Sequence, residues 1–449
     1  MLIPVNRISD AFNIDSLSIT MICLVSFIGI VVSFFSTKYM KGDSLYRNFF
    51  RNLLILLLSV SLMTISDNLL LFLGSWSCCN WILSQLMIHK STWEAAKASG
   101  KIALQNFILG SSCIMLAFFL LYLQTGSLSI QHILHSLNDS WIKISTLILL
   151  LIAAMTQSAI WPFHRWLISS LNSPTPVSAI MHAGIINGGG FLLARFAPLY
   201  LSSPKILNII FILGFISAIL GSLWKLMQHD IKRMLACSTM GQMGFMIAQC
   251  GLGLFSSALA HLCWHGMFKA YLFLASGGAA QEKRVDLGYP LTLISFLLSL
   301  VCGALGTYVF AIINKKDWIP SDTTLIVVGI VFIACSQMAL TVLRGSRFRR
   351  LPLAMGLALI TSGLYAANVY LFDILLSPLE LMQPQKLNAL HVSGLVVLTS
   401  AWLFILFVKR SGNKPKLPDW FLRFYIKALN SSQPHPSTIT THRKSYDYV

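Results

Sequence analysis

Three ionisable residues fall at i, i+4 and i+8 in the stretch HLCWHGMFKAYLF: His261, His265 and Lys269. On a helix this spacing puts all three on one face. Histidine titrates near neutrality, and lysine readily changes protonation state when taken out of water. At membrane depth such side chains are expensive and mark ion paths or proton relays. The face therefore reads as a proton relay in preference to a hydrogen-bonded seam between helices. A metal site is the weaker reading. Two histidines at i and i+4 suit zinc, but no third Cys, Asp or Glu ligand is obvious. Lys232, in the motif DIKRM, adds a cation shortly upstream.

A second polar island runs from Met155 to Arg195 (MTQSAIWPFHRWLISSLNSPTPVSAIMHAGIINGGGFLLAR). It is mostly apolar, yet it holds Gln157, His164, Arg165 and His182, three prolines and the triplet Gly188-Gly189-Gly190. Proline removes a backbone donor and breaks a helix, so Pro162, Pro174 and Pro176 are the expected helix-break positions. Membrane-depth backbone tolerates a break only where protein or a water-lined cavity takes over the freed groups. Polar groups beside such a break commonly line a transport path. His182 stands between two readings, a satisfied core histidine and a member of a path. His164 and Arg165 also stay open, as a snorkelling interfacial pair or as functional groups.

The elements that must position these residues are membrane helices. The chain has 449 residues, 56% hydrophobic and 11% charged, with a mean hydropathy of +0.72. Soluble domains carry about 25% charged residues. The expected fold is all-α and polytopic. At about 20 apolar residues per span, thirteen spans fall near residues 16–37, 49–66, 69–87, 107–123, 142–161, 177–199, 206–227, 234–252, 254–276, 287–313, 324–343, 351–375 and 390–408. The formal net charge is +18. Its bases collect in alternate loops: Lys38, Lys41, Arg47 and Arg51; His89, Lys90, Lys97 and Lys101; Lys225, Lys232 and Arg233; Lys283 and Arg284; Arg344, Arg347, Arg349 and Arg350; then Lys409, Arg410, Lys414 and Lys416. Asp67, Asp139, Asp322, Asp373 and Glu380 occupy the others. The bases thus read as topology determinants and not as a nucleic-acid surface, with the N-terminus outside and the C-terminus cytoplasmic.

Nine cysteines occur without a CxxC pair, and Cys78-Cys79 are adjacent, so no disulfide framework is expected. No cleavable signal peptide is expected at the start of the chain. Residues 91–104 and 419–429 read as interfacial amphipathic helices, and residues 431–449 as a disordered tail. Asp15 and Asp67 are expected to cap the first and third spans.

Five ordered stretches carry a family resemblance: DSLSITMICLVSFIGIVVSFFSTKYM, DNLLLFLGSW, WPFHRWL with SPTPVSAIMHAGIINGGGFLLAR, DIKRMLACSTMGQMGFM and AHLCWHGMFKAYLFLASG. Between Asp15 and Gly278 the chain resembles the antiporter-like proton-translocating subunits of respiratory NADH–quinone oxidoreductase. Within that family the run QMGFMIAQCGLGLFSSALAHL is most similar to the DabB branch. These are the membrane subunits of two-component inorganic carbon pumps, whose DabA partner is a zinc protein resembling beta-carbonic anhydrases. The resemblance implies two inverted five-helix repeats, about 49–199 and 206–343, each with a broken helix. They would form a single transmembrane domain, residues 1–410, followed by a cytoplasmic amphipathic helix and tail, 411–449.

The resemblance further implies that His182, His261, His265 and Lys269 match proton-path positions; Lys232 and Gln157 complete the candidate path. Two departures stand out. Trp76 occupies the place of the family's glutamate in DNLLLFLGSW, and Gln157 that of its central lysine, five residues before Pro-x-His. Set against the family, the chain is expected to be shorter at both ends and to be without the long lateral helix of the largest respiratory subunit, an expectation that favours a stand-alone two-subunit pump. The implied function is ion conduction, by protons or by sodium, that drives a DabA-type soluble or peripheral partner in a heterodimer at the bacterial inner membrane. No catalysis and no cofactor are expected in this chain; zinc is expected in the partner. The rivals are a subunit of a respiratory oxidoreductase or cation/proton antiporter complex, and a scaffold with an inactive channel.

Overall fold

The computed structural model describes residues 11–137, 139–281, 292–343, 349–410 and 419–439. The expected loop charges Lys283, Arg284, Arg344, Arg347, Lys414 and Lys416 lie outside the described residues. So do the start of the chain, residues 287–291 of the tenth span and residues 440–449 of the tail. The helices in order are α1 (Ser16–Tyr39), α2 (Tyr46–Ile65), α3 (Leu69–Ile88), α4 (Glu94–Thr125), α5 (Ile130–Ser136), α6 (Trp141–Gln157), α7 (Arg165–Ile168), α8 (Thr175–Ala183), α9 (Gly188–Arg195), α10 (Ala197–Leu201), α11 (Pro204–Met227), α12 (Ile231–Gly251), α13 (Phe255–Leu274), α14 (Leu293–Ile313), α15 (Thr324–Leu343), α16 (Leu351–Leu375), α17 (Ala389–Arg410) and α18 (Asp419–Ser431). Strand pairing among the described residues is limited to isolated bridges such as Asn68 with Ser129.

Among the described residues, ten helices are long and apolar enough to cross a membrane, counting α8 through α9 as one. The other three expected spans coincide with α6, which is shorter, and with α12 and α13, which carry more polar residues. The expected surface helix at residues 91–104 is instead the first part of α4, which continues unbroken to Thr125. No proline interrupts this stretch. Its buried side packs closely enough that a Cβ on Gly100 would lie 2.3 Å from Ile88. At 1.5 Å per residue α4 is about 48 Å long and outreaches a hydrocarbon core of about 30 Å.

The chain divides into two compact units, one of Met1–Gly251, His261–Ala280 and Arg423–Val449, the other of Leu252–Ala260 and Gln281–Leu422. In the first, α11 and α12 pack backbone to backbone. A Cβ on Gly221 would lie 2.3 Å from the Gly241 nitrogen, and one on Gly244 2.4 Å from the Ala218 nitrogen. Small residues allow such approach, which is how membrane helices associate when lipid is as apolar as their side chains. In the second unit, residues 252–254 are held by Gln383 N donating to Gly253 O (3.0 Å) and Thr323 Oγ1 donating to Leu252 O (2.7 Å).

Asp15 caps α1 through the Ser18 amide, at 2.8 Å. It does more than cap: the buried Arg195 guanidinium pairs with its carboxylate and also donates to Ser18 Oγ and Thr64 O, both at 2.8 Å. The α3 cap is Asn68, which accepts from Leu70 N and Leu71 N. Asp67, expected in that role, instead accepts from Ser129 Oγ (2.5 Å) and from Gln131 N (2.9 Å) in the first turn of α5, whose cap is Ser129. Residues 432–439, expected to be disordered, are tied down. Gln228 Nε2 donates to Ser432 Oγ (2.8 Å), Arg233 to Gln433 Oε1 (3.0 Å) and Asn172 Nδ2 to Thr438 O (2.9 Å). Polar composition here serves side chain–backbone bonds, which composition alone does not distinguish from solvation.

Candidate functional site

The α13 helix is turned inside out relative to a soluble helix. Trp264, Phe268 and Tyr271 are exposed, while His265 and Lys269 are 6% and 1% exposed. In lipid the aromatic face meets apolar solvent and the polar face must find partners in the protein. Those partners come from α8 and α12. Lys269 Nζ donates to Leu235 O at 3.3 Å, and Thr239 Oγ1 donates to the same carbonyl at 3.0 Å. His182 Nδ1 lies 3.1 Å from Thr239 Oγ1. With the hydroxyl hydrogen committed to Leu235 O, the pattern assigns the His182 proton to Nδ1 and leaves Nε2 as an acceptor. Lys269 and His182 are thus joined through one carbonyl and one hydroxyl.

The His182 ring also stacks on Phe273, centroids 4.2 Å apart, one turn beyond Lys269. Along α13 the His261 and His265 rings are parallel within 14° at 5.9 Å, and Phe245 of α12 meets His261 edge-on at 5.2 Å. His265 lies within electrostatic range of His261, Lys269 and His182. His261 Nε2 and His265 Nε2 have no protein hydrogen-bond partner. Lys232 and Lys225 complete the setting, the first near His182 and the second near Lys269. The ion pairs of the described residues include no carboxylate partner for Lys269. Of the sequence candidates, then, the structure brings His182, His261, His265 and Lys269 together, with Lys232 at the near end of α12.

The breaks lie beside this cluster. α6 ends at Gln157, and Pro162 sits in the turn that follows. Pro174 and Pro176 stand at the start of α8, where proline is compatible with a first turn. A further interruption, at Gly184–Asn187, contains no proline. The two breaks satisfy each other: Gln157 Nε2 donates to Ile185 O (3.2 Å) and Ser158 Oγ to Ile186 O (2.7 Å). Asn106 Nδ2 and Trp166 Nε1 both donate to Thr156 O. The glycine triplet makes this fit. A Cβ on Gly189 would lie 2.4 Å from Ala154 O, and one on Gly188 would meet both Gln157 (3.2 Å) and Trp76 (3.7 Å). Trp76 and Gln157 are therefore neighbours. His164 packs on the Trp224 ring at 4.8 Å.

Sequence reasoning missed Thr239, the Leu235 carbonyl, Asn187 and Arg195. A buried Thr in CSTMGQMGFM is one signal for the first; a backbone acceptor leaves none. Among the described residues no three His, Cys, Asp or Glu side chains gather as a metal site.

Fold and site together define a multi-pass helical membrane protein with broken helices and a buried imidazole–ammonium cluster, the antiporter-like class. Residues 66–294 match the family "NADH:quinone oxidoreductase/Mrp antiporter, TM", and residues 3–50 the "NADH-Ubiquinone oxidoreductase (complex I), chain 5 N-terminus". The chain belongs to the NADH:quinone oxidoreductase/Mrp antiporter transmembrane family. It is 38% identical over 289 residues to the "Probable inorganic carbon transporter subunit DabB1" of Halothiobacillus neapolitanus (strain ATCC 23641 / c2), covering 62% of this chain and 51% of that one. It is 35% identical over 330 residues to "NADH-quinone oxidoreductase subunit L" of Campylobacter jejuni subsp. jejuni serotype O:2 (strain ATCC 700819 / NCTC 11168), covering 70% and 54%. The chain spans about half the length of these relatives. In fold it is similar to a chain of the Mrp complex from Dietzia sp. DQ12-45-1b, with a TM-score of 0.62, 20% identity, and coverage of 92% of this chain and 52% of that one.

Proposed function

We propose that this chain is the proton-conducting membrane subunit of an energy-coupled inorganic carbon transporter, working with a DabA-type zinc partner in a heterodimer. The observation that carries the reading is the buried cluster His182–Thr239–Leu235–Lys269 with His265 and His261 alongside. Imidazoles can take a proton on one nitrogen and release it from the other. Lys269 and His182, joined through the Leu235 carbonyl and the Thr239 hydroxyl, give such a relay a fixed start. Likeness to the DabB1 relative supports carbon as the cargo of the coupled partner. Chemistry on carbon dioxide belongs to that partner, and this chain acts as a conductor, not as an enzyme. The protein sits in a bacterial inner membrane with its N-terminus outside and its C-terminus cytoplasmic, in keeping with its alternate basic loops.

Likeness to the Campylobacter subunit favours a second reading, a proton-translocating subunit of a respiratory or antiporter complex. One experiment separates them. The chain and a DabA-type partner are expressed, singly and together, in a bacterium that requires elevated carbon dioxide. Growth in ambient air only with both, abolished by an uncoupler, is the expected result. Rescue by this chain alone, or uptake indifferent to the uncoupler, overturns the proposal.

A further inference from the structure

Beside the helix break lies a cavity of about 10 Å³, bordered by Trp76, Asn80, Gln157, Gly184, Ile185 and Gly188. That is about the space one water molecule needs. Asn80 and Trp76 are 3% and 2% exposed. Neither the nitrogen nor the oxygen of the Asn80 amide has a protein partner, and neither does the Trp76 indole N–H. Buried polar groups are almost always satisfied by protein or by ordered water. The Ile185 carbonyl in the wall already accepts from Gln157.

We propose that this cavity is a binding site for a single water molecule and that Asn80 positions it, making the break a neutral, hydrated node of the conduction path. A bare cation is the poorer occupant. No charged side chain borders the cavity, and a small ion there would exchange its hydration shell for amides with no countercharge. A water loses little on being fixed between polar groups. The node also points toward the cluster. Past Gly184 and Ile185 the break continues to Asn187, which is fully buried with Oδ1 unpartnered. A Cβ on Gly266 would lie 2.5 Å from Ala183 O and 3.4 Å from Asn187 Nδ2. Gly266 follows His265, whose Nε2 also lacks a partner. Unpartnered polar atoms thus occur at Asn80 on the cavity, at Asn187 in the break and at His265 next to Gly266. The conduction role rests on the function proposed above; the water site does not.

The test uses the full chain with its partner, purified as wild type, Asn80→Leu, Asn80→Ser and His265→Ala. A structure at a resolution that shows ordered water should place one water within hydrogen-bonding distance of Asn80 in wild type and in His265→Ala, and none in Asn80→Leu. Carbon uptake should fall about tenfold or more in Asn80→Leu, which removes the amide that holds the water and leaves the buried Trp76 N–H stranded, and should recover in Asn80→Ser, which still offers a hydroxyl to water. A dry cavity in wild type overturns the site, even if Asn80→Leu fails to fold. A melting temperature that rises in sodium chloride over choline chloride, and does so only with Asn80 present, also overturns it by showing a cation. Unchanged uptake in Asn80→Leu with the water gone overturns the conduction role. Wild type that takes up no carbon counts against the proposed function alone, and the water density then still decides the site.

Discussion

Gln157→Lys restores the residue expected at this place in the family, yet the structure argues that it will be poorly tolerated. The Gln157 side chain is 3% exposed and donates to Ile185 O. Its Cγ lies against Gly188, and the adjoining cavity of about 10 Å³ is too small for an extra methylene with a hydrated ammonium. Overpacking costs about 1–3 kcal/mol, and an unpaired buried charge several kcal/mol more. A retained bond to Ile185 O offsets about 1–3 kcal/mol. The net loss is about 3–5 kcal/mol, against a typical total stability of about 5–15 kcal/mol. Trp76→Glu acts on the same cavity. It removes a large ring and supplies a carboxylate beside the new ammonium. The double mutant should therefore be more stable than the sum of the singles, by about 1–3 kcal/mol. The assay is unfolding in detergent for all four proteins, with carbon uptake in parallel. Additivity within about 0.5 kcal/mol would refute the pairing of the two sites. A stable, fully active Gln157→Lys single variant would show that an acceptor for the ammonium exists elsewhere in the chain.

Two further outcomes follow from the geometry. Lys269→Ala should abolish ion-dependent carbon uptake while membrane insertion and partner binding survive; normal uptake by a correctly inserted variant would remove this face from the path. Outside the spans, burial tends to raise the Asp43 carboxyl, but the Leu45 amide and His89, at 3.2 Å, outweigh it and hold the group below its ordinary value of 3.8. A carboxylate whose folded value is depressed adds stability above the unfolded value and loses it as the pH falls through the folded one. Wild type should thus melt above Asp43→Asn at pH values above about 4 and converge with it in stronger acid; a gap that persists in acid would show that the carboxylate charge is not its source.

What sequence could show here followed from periodicity. The i, i+4, i+8 spacing placed His261, His265 and Lys269 on one face, and the structure has them so, because a helix fixes that relation locally. What it could not show was which neighbours the face meets. His182 reaches Thr239 across 57 positions, and Lys269 reaches a backbone oxygen across 34. Residue type is silent on backbone acceptors. The break at Gly184–Asn187 was hidden for a related reason: its freed carbonyls are taken by Gln157 and Ser158 from another helix, so no proline was needed to stop the ladder. Asp15 read correctly as a cap and incompletely as an ion-pair partner, since Arg195 lies 180 positions away. The Trp76–Gln157 contact is another long-range fact, and it makes neighbours of the two positions expected to depart from the family pattern.

Among the described residues no ion pair gives the cluster a carboxylate, and this sets how the proposed relay can work. Asp15 is held by Arg195, and Asp67 by Ser129 and Gln131. Lys269 leans on a carbonyl, with Lys225 adding positive charge near it and Lys232 near His182. Two protonated imidazoles at the 5.9 Å separation of His261 and His265 would repel by about 3 kcal/mol at an effective dielectric of about 20. That is about two orders of magnitude in population at room temperature. Double protonation is therefore rare, and in the proposed relay the pair would pass one proton at a time. A proton arriving at one ring can advance only after the next has been vacated, which orders the steps without a carboxylate to hold the charge. In such a file the neutral groups matter as much as the titrating ones: the Thr239 hydroxyl and the Leu235 carbonyl fix the orientation of His182 and Lys269 without binding a proton of their own.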